Sequence, residues 1–346
     1  MPERPAAARI FVRSRCQAPR MRDRPPEEMK RTIDISVVIP TLNRGEILCQ
    51  TLGYLLVEDQ PSFEIIVIDQ TEKHPAVVQD QLASLATKIT YVRARYKSLT
   101  RARNHGVRLA RAPIVLFLDD DIVPSRGLIH THWRHFENSV VVGVTGPVLN
   151  KGQSLTTFQQ IDVRSIDALF KQRSMRFDVD FPFVAQWSAG GNMSFRRDVV
   201  VRLGGFDETF QGAAIGEDAE FSWRARKLGP IQYVPEASLV HLAVGVGGCH
   251  DCATDSERVR QAAFCASYFL ARVSASTWTR ALSVWKSLRR HALNRRALSN
   301  QKLLALCVPV AAGLWDSTSA KPRLGLESSG HDSPAGPPDR HMSVLS

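Results

Sequence analysis

The stretch Ile114-Val-Leu-Phe-Leu118-Asp119-Asp120-Asp121 decides the fold. Five apolar residues run without a polar break, the pattern of a strand buried on both faces. Working outward, Ile35-Ser-Val-Val-Ile39, stopped by Pro40, and Glu64-Ile-Ile-Val-Ile68 repeat it, and a shorter strand is predicted at Ile89–Val92. Helical spacing fills the intervals at Gly45–Val57, Ala76–Ala86 and Leu99–Ala110. Apolar strands alternating with amphipathic helices predict an α/β fold, a mostly parallel sheet flanked by helices.

Downstream, the spacing predicts a helix around Gly127–Phe136 and a strand at Val140–Val144. Regularity fades through Gly152–Ala185 and returns with Gly190-Gly-Asn-Met-Ser-Phe195 and a helix at Arg197–Leu203. A helix from Glu217 to about Leu228 and strands near Ile231–Val234 and Ser238–Leu242 follow. Four regions result: 1–33, a Pro- and Arg-rich leader expected to be disordered; 34–250, the α/β domain; 251–315, a basic helical extension; and 316–346, a tail expected to be disordered.

Of the 346 residues, 44% are hydrophobic and 23% charged, which excludes disorder throughout. The net charge of +11 is unevenly spread. Residues 1–31 hold nine Lys/Arg against four Asp/Glu, and Arg258 to Trp315 holds ten Lys/Arg and no acid. The α/β body is therefore slightly acidic, and no nucleic-acid partner is expected. Six cysteines are too few for a disulfide scaffold, and Cys249-His250-Asp251-Cys252 lacks the second pair of a zinc site. No secretory signal is read in residues 1–31, and Leu303–Trp315, broken by Pro309, is too short to span a bilayer. A cytoplasmic location follows as the expectation.

Ligands of an open parallel sheet collect at the carboxyl ends of its strands. Three ends then share one crevice: Pro40-Thr41-Leu42-Asn43-Arg44, Asp69-Gln70-Thr71 and Asp119-Asp120-Asp121. Three consecutive carboxylates repel one another unless a cation compensates, and Mg²⁺ or Mn²⁺ suits such oxygen donors. Arg103, in Arg101-Ala-Arg103-Asn104-His105-Gly106, is expected near the same ends, where a guanidinium binds phosphate or simply faces solvent. No G-x-x-x-x-G-K-[ST] or G-x-G-x-x-G follows the first strand, which counts against P-loop and dinucleotide enzymes. Gly216-Glu217-Asp218 opens a helix, where Asp218 serves either the helix dipole or proton abstraction.

In order along the chain, Pro40-Thr-Leu-Asn-Arg44, Asp69, Ala102-Arg-Asn104-x-Gly106, Leu118-Asp-Asp-Asp121, Ala189-Gly-Gly-Asn-Met-Ser194, Gly204-Gly-Phe-Asp-Glu208 and Gly216-Glu-Asp218 resemble family 2 glycosyltransferases of the GT-A fold. The resemblance runs from about Ile35 to Gly248. It implies an inverting transferase using a nucleotide-diphosphate sugar, with Mg²⁺ or Mn²⁺, and a carbohydrate or lipid-linked acceptor. Such an enzyme would serve bacterial-type polysaccharide or glycolipid assembly. By position, Thr41, Asn43, Asp69 and Arg103 would hold the base and ribose, and Asp120 the ribose. Asp121, with Asp119, would hold the metal. Gly190, Gly191 and Asn192 would line the sugar or acceptor pocket, Glu217 would join the donor-binding set, and Asp218 would be the general base. His241 resembles a position that reaches metal or diphosphate. One departure is Gln70, where the family commonly has a second acid. The alternatives are a non-catalytic nucleotide-sugar-binding protein and a sugar nucleotidyltransferase.

Past the domain, Ala281, Trp285, Leu288 and Ala292 share one helical stripe, with Lys286, Arg289, Arg290, Arg295 and Arg296 mainly off it. Such a helix either packs on the domain or lies on an anionic membrane, the latter placing the protein at the inner face of the cell membrane.

Overall fold

A computed structural model describes residues 32–160, 177–210, 214, 216–248, scattered positions between 261 and 272, and 324–326. The 1–31 leader, the 249–252 cysteine motif, the 281–296 stripe and the 303–315 segment lie outside the described residues.

The domain opens with β1 (Ile35–Thr41), α1 (Gly45–Leu55), β2 (Phe63–Asp69), α2 (Ala76–Ser84), β3 (Thr90–Arg93), α3 (Leu99–Leu109) and β4 (Ile114–Leu118). β1 pairs in parallel with both β2 and β4, and β3 in parallel with β2. Alternation within each strand feeds two cores. Ile35, Val37, Ile39, Ile65, Val67, Leu116 and Leu118 join Leu48 and Leu52 of α1 on one face. Val38, Ile66, Ile68, Val115 and Phe117 join Ala102 and Val107 of α3 on the other. Burial on both faces is why these strands read as unbroken apolar runs.

Short β5 (Ile122–Pro124), α4 (Leu128–Arg134), β6 (Gly143–Thr145), β7 (Val148–Asn150) and β8 (Phe183–Ala185) lead to β9 (Asn192–Arg196). Then come α5 (Arg197–Arg202), α6 (Glu217–Ala225), β10 (Ile231–Tyr233) and β11 (Leu239–His241). The main sheet runs β3-β2-β1-β4-β9-β6-β10-β8. β9 is antiparallel to both β4 and β6, so the parallel half ends at β4 and the sheet as a whole is mixed. That reversal carries the chain back across the crevice, and residues 189–192 enter β9 beside the end of β4. A second sheet, β5-β11-β7, sits beyond the acidic end of β4.

One placement departs from expectation. Leu324, Gly325 and Leu326 fall in the tail expected to be disordered, yet they are docked. Leu324 bridges Asp207, Arg108 donates to the Gly325 carbonyl, and the Leu326 N–H donates to Gly204. In the helical extension, Cys265 and Tyr268 pack on Phe210 and Leu99, and the Tyr268 hydroxyl donates to Asp207 at 2.6 Å. Apolar burial of those residues ties them to the 34–250 domain.

Candidate active site

The three carboxylates after β4 have different surroundings. Their side chains are 34%, 4% and 0% exposed for Asp119, Asp120 and Asp121, so only Asp119 opens to the crevice. Asp120 accepts from the Thr41 hydroxyl at 2.6 Å and from Arg44 Nη1 at 3.0 Å. Burial pushes its pKa up to about 6 against both of those bonds. Burial would also raise Asp121, but His241, Arg44 and the Val244 N–H together hold it below the usual carboxylate range. Arg44 Nη1 lies 3.1 Å from Asp121. The cation that three crowded carboxylates require is thus supplied partly by the chain itself, not by a divalent ion alone.

His241 reaches this group through strand register: β11 runs antiparallel to β5 and sets His241 opposite Ile122, the residue after Asp121. Its Nε2 stands 3.1 Å from Asp121 Oδ1, and that contact with the carboxylate raises the imidazole pKa. One ligand atom each from Asp119, Asp121 and His241 lies within 4.8 Å of the other two. Asp121 Oδ1 is buried and lacks a well-oriented hydrogen bond. Two carboxylates and an imidazole, one oxygen undersatisfied, fit a divalent cation.

Across the crevice, Asp218 sits in the first turn of α6, and two backbone N–H groups grip it. Oδ2 accepts from Gly190 at 2.9 Å and Oδ1 from Ala219 at 2.7 Å. Burial raises its pKa, with the Arg103 charge and the two N–H groups opposing. Glu217 turns inward, its Oε1 2.7 Å from Arg103 Nη1. Burial and the neighbouring Asp218 charge push Glu217 up to about 8, against Arg103.

Gly190 and Gly191 join the two ends. A Cβ on Gly190 would stand 2.9 Å from Arg103 Nη2, 3.2 Å from Asp218 Oδ2 and 3.3 Å from Glu217 Oε1. A Cβ on Gly191 would overlap the Asp119 carboxylate. Gly191→Ala should therefore swing Asp119 aside, weakening Mn²⁺ binding by roughly tenfold or more with the melting temperature nearly unchanged. Calorimetric titration with Mn²⁺ checks this.

Other expected donor-binding residues are placed differently. Arg103 is 2% exposed, with Nη1 on Glu217 and Nη2 on the Gly190 carbonyl (2.9 Å), so it positions the base loop and does not lie open to a phosphate. Gly106 lets α3 lie that close, since a Cβ there would overlap Val38. Asp69 is fully buried. Its Oδ1 accepts from Thr71 N–H at 2.7 Å, and Oδ2 meets His74 and Tyr91 at 2.5 Å. It orders the Gln70–Thr71 turn from inside. Gln70 bonds the Ser98 N–H at 2.6 Å and fastens the start of α3 to the end of β2. Asn43, in the left-handed region at φ 56°, is exposed at the crevice rim.

Asn192, expected to line a pocket, is fully buried beneath it. Its amide donates to the carbonyls of Pro147 (3.0 Å) and Ala237 (2.8 Å) and its oxygen meets His132 Nε2 at 2.9 Å. Burial pushes His132 down to about 4, so its neutral ring donates to Asn192 and accepts from Ser194. Asn192→Ala should cost at least about 2 kcal/mol in chemical denaturation, because it strands two carbonyls and an N–H.

In the sequence alone Arg44 carries no assigned role. A basic residue closing a motif opposite three acids was the available signal. Its carbonyl partners, Val244 and Val246, lie two hundred residues away.

Residues 36–203 match the family model described as glycosyl transferase family 2. The chain is 26% identical over 227 residues to chondroitin synthase of Pasteurella multocida (strain Pm70), covering 57% of this chain and 23% of that protein. It is 30% identical over 217 residues to validoxylamine A glucosyltransferase of Streptomyces hygroscopicus subsp. jinggangensis, covering 55% and 50%. The chain thus spans half or less of these relatives. Its fold is the GT-A fold of a mannosyltransferase from Pyrobaculum calidifontis solved with GDP-Man and Mn²⁺. That match has TM-score 0.51 and 16% identity, over 83% of this chain and 88% of the other. GalNAc-T7, solved with UDP, GalNAc and Mn²⁺, aligns with TM-score 0.53 and 16% identity, over 85% and 59%.

Proposed function

We propose that the chain is an inverting, metal-dependent glycosyltransferase. It would move a sugar from a nucleotide-diphosphate sugar to a hydroxyl of a carbohydrate or lipid-linked acceptor. One observation carries this reading. The cation-binding group and Asp218 are joined through two consecutive glycines, with Asp119 against Gly191 and the Gly190 N–H on Asp218. The Arg103 guanidinium lies beside both, its Nη2 3.9 Å from Asp119 and on the Gly190 carbonyl.

Asp119, Asp121 and His241 would hold the cation, and the imidazole among them favours Mn²⁺ over Mg²⁺. When bound, the cation supplies Lewis-acid neutralisation of the charge on the leaving diphosphate. Asp218, fixed by two N–H groups, keeps lone pairs for the acceptor hydroxyl. As that oxygen bonds to the anomeric carbon, its proton passes to Asp218. The bond from the anomeric carbon to the β-phosphate oxygen breaks, and its electron pair leaves with the nucleoside diphosphate. A single displacement with oxocarbenium character inverts the centre. Arg103 and Glu217 keep the Gly190 turn, and so Asp218, in place.

The complexes of the two solved neighbours, with GDP-Man or UDP and Mn²⁺, support a nucleotide-sugar donor and Mn²⁺. Relatives named chondroitin and hyaluronan synthases support a role in polysaccharide or glycolipid assembly. A thermal-shift panel of nucleotide sugars tests the site. At least one should raise the melting temperature with Mn²⁺ present and lose that effect in EDTA. No shift by any nucleotide or nucleotide sugar would remove the reading.

Among the described residues no helix is long and apolar enough to cross a membrane. We propose peripheral contact with the cytoplasmic face through Lys286, Arg289, Arg290, Arg295 and Arg296, each worth about 1 kcal/mol at an anionic surface. The protein should pellet with anionic liposomes at low salt, and charge reversal at the five positions should abolish this. Equal pelleting of both would exclude the contact.

A further inference from the structure

Arg44 stands where the carboxylates after β4 meet the loop after β11. Its Nη1 lies 3.0 Å from Asp120 Oδ1 and 3.1 Å from Asp121 Oδ2. Its Nε and Nη2 donate to the carbonyls of Val246 and Val244, both at 2.9 Å. Gly247, at φ +71°, turns the loop onto the arginine: a Cβ there would stand 2.5 Å from Arg44 Cγ and 2.7 Å from the Asn43 carbonyl. One planar fork therefore ties two acids to a loop two hundred residues away, with the side chain 10% exposed.

This arrangement competes with a bound cation. Asp121 belongs to both the Arg44 pair and the three-residue group fit for a divalent ion. Two cations on one buried carboxylate repel strongly, because little water screens them. A guanidinium fork is also the side chain best matched to phosphate oxygens.

We infer that Arg44 is an exchangeable counter-ion, an inference that rests on the metal-dependent reading above. Without a cation it neutralises Asp120 and Asp121 and holds the 244–246 carbonyls down. With a divalent cation on Asp121 it is displaced from that carboxylate and turns its fork to the diphosphate. Cation, phosphates and the loop after β11 are then coupled through one side chain.

The signature is a pair of opposite effects. Arg44→Gln should bind Mn²⁺ alone at least about tenfold more tightly than wild type in calorimetry. It should bind the Mn²⁺ complexes of UDP and GDP at least about tenfold more weakly than wild type binds whichever of the two it prefers. A static clamp predicts weaker binding of both, and that result, or no change in either, overturns the inference. Wild-type protein failing to bind Mn²⁺ would instead overturn the metal reading beneath it. A second measurement needs no variant: phenylglyoxal labelling of Arg44 in the wild-type chain, read by peptide mass spectrometry. Labelling should be slow without metal, faster with Mn²⁺ and slow again with Mn²⁺ and the preferred nucleoside diphosphate. An equal rate in all three states overturns the inference.

Discussion

Asp218→Asn lowers the rate of transfer by at least about a hundredfold while donor binding stays near wild type. Asparagine keeps the size of the side chain, and its amide oxygen still accepts one of the two N–H groups now held by the carboxylate. The lost bond costs about 1 kcal/mol, small beside the catalytic effect. What the amide cannot do is take the acceptor proton. A pH profile separates this from a structural defect. Burial raises the Asp218 pKa, so the base is protonated and idle on the acid side, and wild-type kcat/KM climbs with pH through that ionisation. In Asp218→Asn the acid limb disappears. Glu217→Gln is the companion variant, but not a neutral one. Its side chain meets Arg103, which holds the Gly190 carbonyl. It should lose stability and some turnover while keeping the acid limb. An inactive Glu217→Gln beside an active Asp218→Asn would move the base by one residue.

Asp121→Asn abolishes metal-dependent nucleotide binding and brings turnover close to background. Its effect on the metal-free fold is where the structure changes the expectation. Three crowded acids suggest that removing one relieves repulsion. Asp121, however, has Arg44 and His241 at 3.1 Å and the Val244 N–H at 3.2 Å. Breaking a buried pair of this kind costs on the order of 3–5 kcal/mol, less where asparagine retains the N–H contact. Calorimetric titration with Mn²⁺ and chemical denaturation in EDTA read the two effects separately. Wild-type turnover in the variant, or in EDTA, would remove Asp121 from the metal set.

Sequence carried the parallel half of the fold because its signal is local. In β1, β2 and β4, burial on both faces writes itself as an apolar run, and the acids at the end of β4 mark the crevice. The antiparallel insertion of β9 was not legible, because Asn192–Arg196 reads the same in either direction. Strand Val140–Val144 shortens to Gly143–Thr145, since Val142 N–H turns to the Pro230 carbonyl and not to a ladder partner. In the site, Asp119, Asp121, His241 and Asp218 come together as their positions suggested. Arg103 and Asn192 were legible as participants but not as buried ones, because their orientation depends on Glu217, Gly190, His132 and Pro147. Arg44 was least legible, its role set by contacts with Val244 and Val246 that only the folded chain makes.

In the proposed reaction, transfer of the sugar releases a nucleoside diphosphate. The most direct measurement incubates the full chain with a panel of nucleotide sugars, acceptor sugars and Mn²⁺ and identifies the released phosphate species by mass spectrometry. The proposed mechanism predicts a nucleoside diphosphate, formed with Mn²⁺ and not in EDTA, together with a product inverted at the anomeric carbon. Pyrophosphate formed from a sugar phosphate and a nucleoside triphosphate would identify a nucleotidyltransferase. Nucleotide binding with no released species under any condition would identify a non-catalytic binding protein, and either result would contradict glycosyl transfer.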